Sequence, residues 1–391
     1  MKKFLFYSIL CALFSITALQ AQGNYGINFS GFVKSDNMFD SRQTVAAREG
    51  HFVLYPAAED LDENNDDINA QPHFNMLAIQ TRLTGKISAP DAFGAKVSGV
   101  IEGAFFGHTN DDINGFRLRH AMMQMTWDKS TLTFGQTWHP LFVTACFPGV
   151  VSFNTGVPLQ PFSRNPQIRL TQSLNNKTKL ILAAMSQRDF ASTGGSTSLR
   201  NAVIPNLHAQ LQLSNNGNVF GAGVDYKILR PVLAVDETVA GMSFLAYTKL
   251  DVSGTTVKVY GIVGQNLTDH LMLGGYAFKA TAAEYTTVNN MSVWGELIRG
   301  KKRQVGLFAG YTKNQGASDP VISSTVSARG SNIDNVLRVS PRIVWNSGKA
   351  RFALEGEYTA AAYGTADNEL KVEDTTTVSN FRVLFATYLF F

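Results

Sequence analysis

The stretch that decides the fold closes the sequence: Phe381-Arg382-Val383-Leu384-Phe385-Ala386-Thr387-Tyr388-Leu389-Phe390-Phe391. Phe381, Val383, Phe385, Leu389 and Phe391 share one side of a period-two ladder; Arg382, Ala386 and Tyr388 share the other. That alternation is strand periodicity. Chain termini are usually polar and loosely held, so an aromatic strand at the end asks for a partner. A closed transmembrane β-barrel supplies one. Its last strand pairs with its first and shows apolar side chains to lipid over about 9–11 residues. The competing reading is the final core strand of an exported β-sandwich.

Working outward from that strand, the chain from Gly23 onward reads as sixteen alternating segments in strict succession. Gly26 to Asp36 sets Ile27, Phe29 and Val33 against Asn28, Ser30 and Lys34; Phe74 to Ser88 sets Leu77, Ile79, Leu83 and Ile87 against Gln80, Arg82, Thr84 and Lys86. Asn215-Asn216-Gly217-Asn218, Ser253-Gly254 and Asn346-Ser347-Gly348 are hairpin chemistry, since they tolerate positive φ. Residues 265–289 admit a loop or an extra strand; an even strand number favours the loop. Short turns alternate with longer connections, and that asymmetry predicts an all-β antiparallel membrane barrel of sixteen strands rather than a sandwich.

The start of the chain supports export. Met1-Lys2-Lys3, the apolar run Phe4 to Leu19 and Ala21-Gln22 predict a cleaved Sec signal peptide, residues 1–21, and one barrel domain, residues 22–391. Ser8-Ile9-Leu10-Cys11 is a poor lipidation site, so Cys146 is the only mature cysteine and no disulfide framework exists. The formal charge of +4 falls by two with Lys2 and Lys3, which gives no reason to expect a nucleic-acid partner. The loop Glu59 to Asp67 is strongly acidic; a solvated surface loop is the plain reading, and a cation or partner site the alternative.

If apolar positions face lipid, the opposite parity faces the lumen. The pore-lining basic set is then Lys34, Arg82, Lys86, Lys96, Arg117, Arg119, Arg169, Arg338, Arg342, Arg351 and Arg382, against Glu102, Asp225, Glu296, Glu355 and Glu357, with Lys227 also inward. Charges in a wide wet barrel stay solvated, whereas on the lipid face they would cost about 2–4 kcal/mol. A basic surplus predicts mild anion preference; a paired Arg–carboxylate network without selectivity is the alternative. Residues 139–166 form the expected constriction loop, because Leu141, Phe142, Phe147, Val150, Phe153 and Phe162 are too apolar for a solvated loop. Gln136 and Trp138 lead into it, His139 and Arg164 stand at its ends, and Cys146 within it reads as a packed small residue.

Phe116-Arg117-Leu118-Arg119-His120-Ala121 followed by Phe134-Gly135-Gln136-Thr137-Trp138, with Gly264-Gln265-Asn266-Leu267 later, resembles the DcaP-like trimeric porins of Gram-negative bacteria. A terminal phenylalanine on a membrane strand also resembles the end signal of bacterial outer-membrane barrels. The resemblance implies a homotrimeric diffusion channel of the bacterial outer membrane, embedded among phospholipid and lipopolysaccharide, whose basic lumen favours small anionic solutes. Only Arg117, Arg119 and the Gln136-Thr137-Trp138 block carry over by motif. The chain departs from the type member in having no coiled-coil segment before the first strand.

Other classes fit less well. An outer-membrane hydrolase needs a nucleophile motif and a clustered triad, but no Gly-x-Ser-x-Gly occurs and His120, His139, His208 and His270 lie on separate segments. No zinc spacing or phosphate loop calls for a metal or cofactor. A plugged structural or adhesin barrel remains open. So does a substrate-specific channel for sugars or dicarboxylates, with Trp138, Tyr247, Tyr260 and Trp294 as an aromatic track.

Overall fold

A computed structural model describes residues 25–391; the expected signal peptide lies outside the described residues. In chain order the strands are β1 (Gly26–Asp40), β2 (Thr44–Ala47), β3 (Phe52–Pro56), β4 (His73–Leu77), β5 (Arg82–Ala92), β6 (Ala95–Ala104), β7 (Arg117–Thr126), β8 (Ser130–Trp138), β9 (Arg164–Ser173), β10 (Thr178–Met185), β11 (Asn206–Asn215), β12 (Asn218–Leu229), β13 (Val239–Val252), β14 (Thr255–Gln265), β15 (Gly274–Phe278), β16 (Tyr285–Arg299), β17 (Arg303–Ala317), β18 (Ser327–Arg329), β19 (Ile333–Ser347), β20 (Ala350–Ala366) and β21 (Val372–Phe390). Antiparallel neighbours pair in sequence order, and β1 closes the ring by pairing with β21 on one side and β4 and β5 on the other. With β4 and β5 forming one wall strand and β15 and β18 lying in loops, the wall is a sixteen-stranded closed barrel. Closure leaves no unpaired edge for lipid to meet.

The terminal strand behaves as its alternation requires. Phe381, Val383, Phe385, Leu389 and Phe391 are exposed on the outer face, while Arg382, Leu384 and Ala386 are buried inside. Phe32↔Phe390 through Asp40↔Arg382 is the closing register. The wall is uneven in height: β9, β10 and β11 have 10, 8 and 10 residues, whereas β20 and β21 have 17 and 19.

Several boundaries differ from the sequence reading. The second wall strand breaks between Leu77 and Arg82 instead of running through from Phe74 to Ser88, and Lys34 N–H donates to Thr81 Oγ1 in the gap at 3.1 Å. Residues 265–289 do form a loop, but it carries β15, and the wall strand β16 already starts at Tyr285. The constriction loop ends at Ser163, not Pro166, because Arg164, Asn165 and Pro166 pair with Trp138, Thr137 and Gln136. In β7 the parity changes near His120 because the register slips against Glu102 and Gly103, a bulge that turns Arg117 and Arg119 inward and Met123 outward.

The largest departure concerns the lumen. The alternation of the strands predicts a wide, wet lumen, yet Lys34, Arg164, Arg338 and Arg382 are among the most deeply buried side chains. Two segments fill the space. One is residues 139–163. The other is the hairpin β2–β3, which leaves the end of β1 and turns back inside, burying Phe52, Val53, Leu54 and Tyr55. Phe52, Leu54, Phe106, Phe142, Phe153 and Phe162 join Leu271 and Leu273 in one apolar cluster. A barrel that expects water on its inner face has gained a hydrophobic core. Arg48-Glu49-Gly50, all at positive φ, make the turn that brings the hairpin back.

Candidate functional site

The inward loop is held by its own backbone. Gly149 N–H donates to Glu296 Oε1 at 2.7 Å, Val151 N–H to Glu355 Oε2 at 2.7 Å and Ser152 N–H to Glu355 Oε1 at 2.9 Å. Asn154 Nδ2 donates to Glu357 Oε2 at 2.9 Å. A Cβ at position 149 would stand 2.9 Å from Arg342 Nη2 and 3.2 Å from Glu296 Oε1, so glycine lets this amide approach the carboxylate. Charge-assisted bonds of this kind are roughly twice as strong as neutral ones. The loop therefore seats against β16 and β20, and the wall carboxylates there are turned toward the loop.

The basic residues fall into two groups. Against the same wall, Arg342 pairs with Glu296 at 2.8 Å and Lys258 with Glu296 at 2.8 Å, while Arg338 lies 3.4 Å from Glu357 and donates to Leu54 O at 2.8 Å. Lys34 binds Asp36 at 2.9 Å and Val151 O at 2.9 Å; Arg382 binds Asp40 at 2.7 Å and Gly50 O at 2.6 Å. These cations tie the inserted segments to the wall. Removing one partner of such a buried pair typically costs about 3–5 kcal/mol, because the other charge is left uncompensated.

The second group lies across the lumen on β5, β7 and β9. Arg119 Nε donates to Glu102 at 2.8 Å and Arg82 stands 3.5 Å from the same carboxylate. Arg164 pairs with Asp189 at 2.7 Å, and Arg117 also bonds Asp189, which comes from the connection after β10. Four guanidiniums thus share two carboxylates. Arg164 and Arg119 lie over the Trp138 ring, 4.8 and 5.8 Å from its centroid, and Trp138 stacks on Phe142 at 3.8 Å. Arg169 is apart from this cluster, bonding Gln167 Oε1 at 2.8 Å and the Trp138 carbonyl. Gln136 donates to Arg119 O at 3.2 Å.

Between the two walls a cavity of about 320 Å³ is lined by Arg82, Arg119, Gln80, Tyr388, Trp138 and the loop residues Phe142, Phe147 and Pro148–Phe153. Among the described residues no carboxylate lines it. Phe147 is a partly exposed edge of this space, whereas Phe153 is buried against Phe106, 4.2 Å away, and His51, 5.1 Å away. Cys146 is buried, and burial pushes its thiol up to about 11, so it is a packing residue.

Two sequence expectations do not survive this geometry. Tyr247, Tyr260 and Trp294 stack on one another, but they lie under the loop with Leu141, Val143 and Cys146 and form no open sugar track. His139, His208 and His270 are not scattered; the fold brings them into contact. The acidic segment 59–67 is largely exposed, with Asp67 capping a short turn and pairing Arg42 at 2.6 Å. Among the described residues no group of histidine, cysteine and carboxylate side chains is arranged to hold a metal ion. Sequence reasoning missed Asp36, Asp40 and Asp189 as partners and missed the hairpin. The run Phe52-Val53-Leu54-Tyr55-Pro56, apolar inside a nominal surface loop, was the available signal for the hairpin.

No protein-family model matches the chain, and no curated protein sequence matches it. Solved structures do. The outer membrane channel DcaP of Acinetobacter baumannii superposes with a TM-score of 0.72 at 16% identity, over 94% of this chain and 97% of that one. An anion-selective porin from Comamonas acidovorans gives 0.57 at 9% identity over 94% and 100%, and OmpT, an outer membrane protein of Vibrio cholerae, 0.57 at 10% over 95% and 98%. The fold is that of outer-membrane channel barrels.

Proposed function

We propose that this chain is a DcaP-like outer-membrane porin that passes small hydrophilic solutes by diffusion with a mild preference for anions. The observation that carries the reading is the division of charge in the lumen. Glu296, Glu355 and Glu357 are occupied by the loop and by Arg338, Arg342 and Lys258, so the carboxylates on that wall are withdrawn from the cavity. Arg82 and Arg119 line the cavity, two guanidiniums against the one carboxylate of Glu102, which stands behind them and does not line it. A constriction whose charge is of one sign favours ions of the other. The protein that this reading describes is a homotrimer in a membrane of phospholipid and lipopolysaccharide, needs no cofactor and does no covalent chemistry.

A second reading, a barrel that rests plugged, is favoured by the buried hairpin β2–β3. One measurement separates the two: reversal potential and step conductance of the purified protein in a planar bilayer under a KCl gradient. Chloride-selective steps in groups of three support the trimeric porin. Cation selectivity refutes the arginine argument and leaves the channel. Absence of conductance from folded protein supports the plug.

A further inference from the structure

Three histidines from separate segments meet behind the root of the inward loop. His139 follows β8, His208 is on β11, and His270 ends the turn Leu267–His270. Ring centroids of His139 and His270 are 4.5 Å apart, those of His139 and His208 5.9 Å, and all three residues are buried. Leu141 N–H donates to His139 Nδ1 at 3.1 Å, which leaves the proton of the neutral ring on Nε2, 3.5 Å from Asp225 Oδ1. Among the described residues His139 Nε2 and both nitrogens of His270 have no hydrogen-bond partner.

The charged groups facing this pair come from every side. They are Asp225 and Lys227 on β12, His208 on β11, Arg169 on β9 and Asp269 in the turn. Asp225 is already engaged by Asn206 and His208, and Asp269 by Lys227 and Gln187. Two rings in contact, both buried, with the nearby carboxylates already committed, are comfortable only when neutral. Burial holds His139 well below its ordinary value and His270 below it too.

We propose that His139 and His270 form an acid-operated latch: protonation parts the loop root from the Leu267–His270 turn and admits a wider conducting state. The functional half of this inference rests on the channel reading above; the structural half does not. The sign follows from linkage. A released ring titrates near its ordinary value of about 6.5, while the seated ring resists protonation. The seated state therefore keeps its full advantage above that pH. As pH falls below it, the advantage drops by at most about tenfold per pH unit for each ring.

The test uses full-length protein at pH 7.5 and at pH 5, with two readouts. Single-channel recording should show a larger level that gains occupancy at pH 5, and H139Q/H270Q should lose that dependence while H270Q keeps a shallower one. Hydrogen exchange of the 139–148 backbone, corrected for intrinsic rates, should quicken at pH 5 in the wild type, less so in H270Q and not in H139Q/H270Q. Heat-shifted gel migration checks that each variant is folded. Should the double variant not fold, H270Q carries both readouts. Unchanged protection at pH 5, or the same acid response in the variants, overturns the latch whether or not the protein conducts. Acid-quickened exchange without current keeps the latch and refutes the porin reading alone.

Discussion

Arg119→Gln tests the proposed selectivity most directly. Arg119 shares the cavity surface with Arg82 and donates to Glu102 at 2.8 Å, and glutamine keeps much of its reach while deleting the charge. Two unit charges 4 Å apart interact by about 1 kcal/mol in water and about 4 kcal/mol at an effective dielectric of about 20. Arg119 is itself buried at 4% exposure, but an ion in the cavity meets it across the solvent-accessible space in front of it, so the lower figure applies. Chloride then loses about 1 kcal/mol of attraction and potassium about 1 kcal/mol of repulsion, roughly a 30-fold ceiling on the change in permeability ratio. With a Debye length of about 10 Å at 0.1 M salt, part of this is screened and a several-fold change should remain. The assay is the zero-current potential of R119Q in a bilayer under a tenfold KCl gradient, with R119K as the charge-conserving control. The potential should move toward the potassium side in R119Q and stay near wild type in R119K. An unchanged potential in folded R119Q, or an equal shift in R119K, refutes the idea that this charge sets the preference.

Three further outcomes follow from the same geometry. Glu355→Gln cannot accept both loop amides, and a hydrogen bond to a charged group contributes about 1.5–3 kcal/mol, so the 149–154 segment should loosen; open-channel current should become noisier, and a wild-type noise spectrum would count against the clamp. Phe52→Ala removes a ring packed by Phe106, Phe153, Phe162 and Phe190; it should cost about 3–5 kcal/mol in thermal unfolding and raise conductance if the hairpin obstructs the pore, whereas a stability loss at constant conductance would place the permeation path elsewhere. Cys146, buried and with its thiol pushed up to about 11, should resist maleimide in folded protein at pH 7.5 and react fully in denaturant; rapid labelling of the folded state would mean that the loop is not seated.

Much of the wall was legible because each strand had to declare its two faces. Phe381, Val383 and Phe385 face outward and Arg382 inward for reasons contained in the strand alone. The inward turn of residues 139–163 was also legible, since its apolar content had no other place to go. The contents of the lumen were less so. Parity says that Glu355 and Arg338 point inward, but which loop atom meets them depends on contacts separated by 204 and 284 residues. The hairpin hid beside the conspicuous acidic run 59–67, which drew a whole connection to the surface although only part of it belongs there. The histidine contact was invisible for a similar reason: strand order brings β11 beside β12, but nothing local says that two loops return to the same spot.

The filled lumen changes how the charge count must be read. In an open pore every inward arginine and glutamate would add to one field, and the surplus of bases would measure selectivity. Here Lys34, Arg338, Arg342 and Arg382 are committed to carbonyls and carboxylates that hold inserted segments. Their charges are largely cancelled within a few ångströms, where dipole fields fall off faster than those of single ions. Glu296 is balanced by Arg342 and Lys258 and Glu357 by Arg338, while Glu355 faces the Val151 and Ser152 amides and not the cavity. What a permeating ion meets is the remainder, the Arg82–Arg119 edge beside Trp138, where two guanidiniums share the single carboxylate of Glu102 and one positive charge is left over. Substitutions in the first set should therefore act chiefly on stability and gating. Those in the second should act on ion choice, and the contrast between Glu355→Gln and Arg119→Gln in one bilayer measures whether that separation holds.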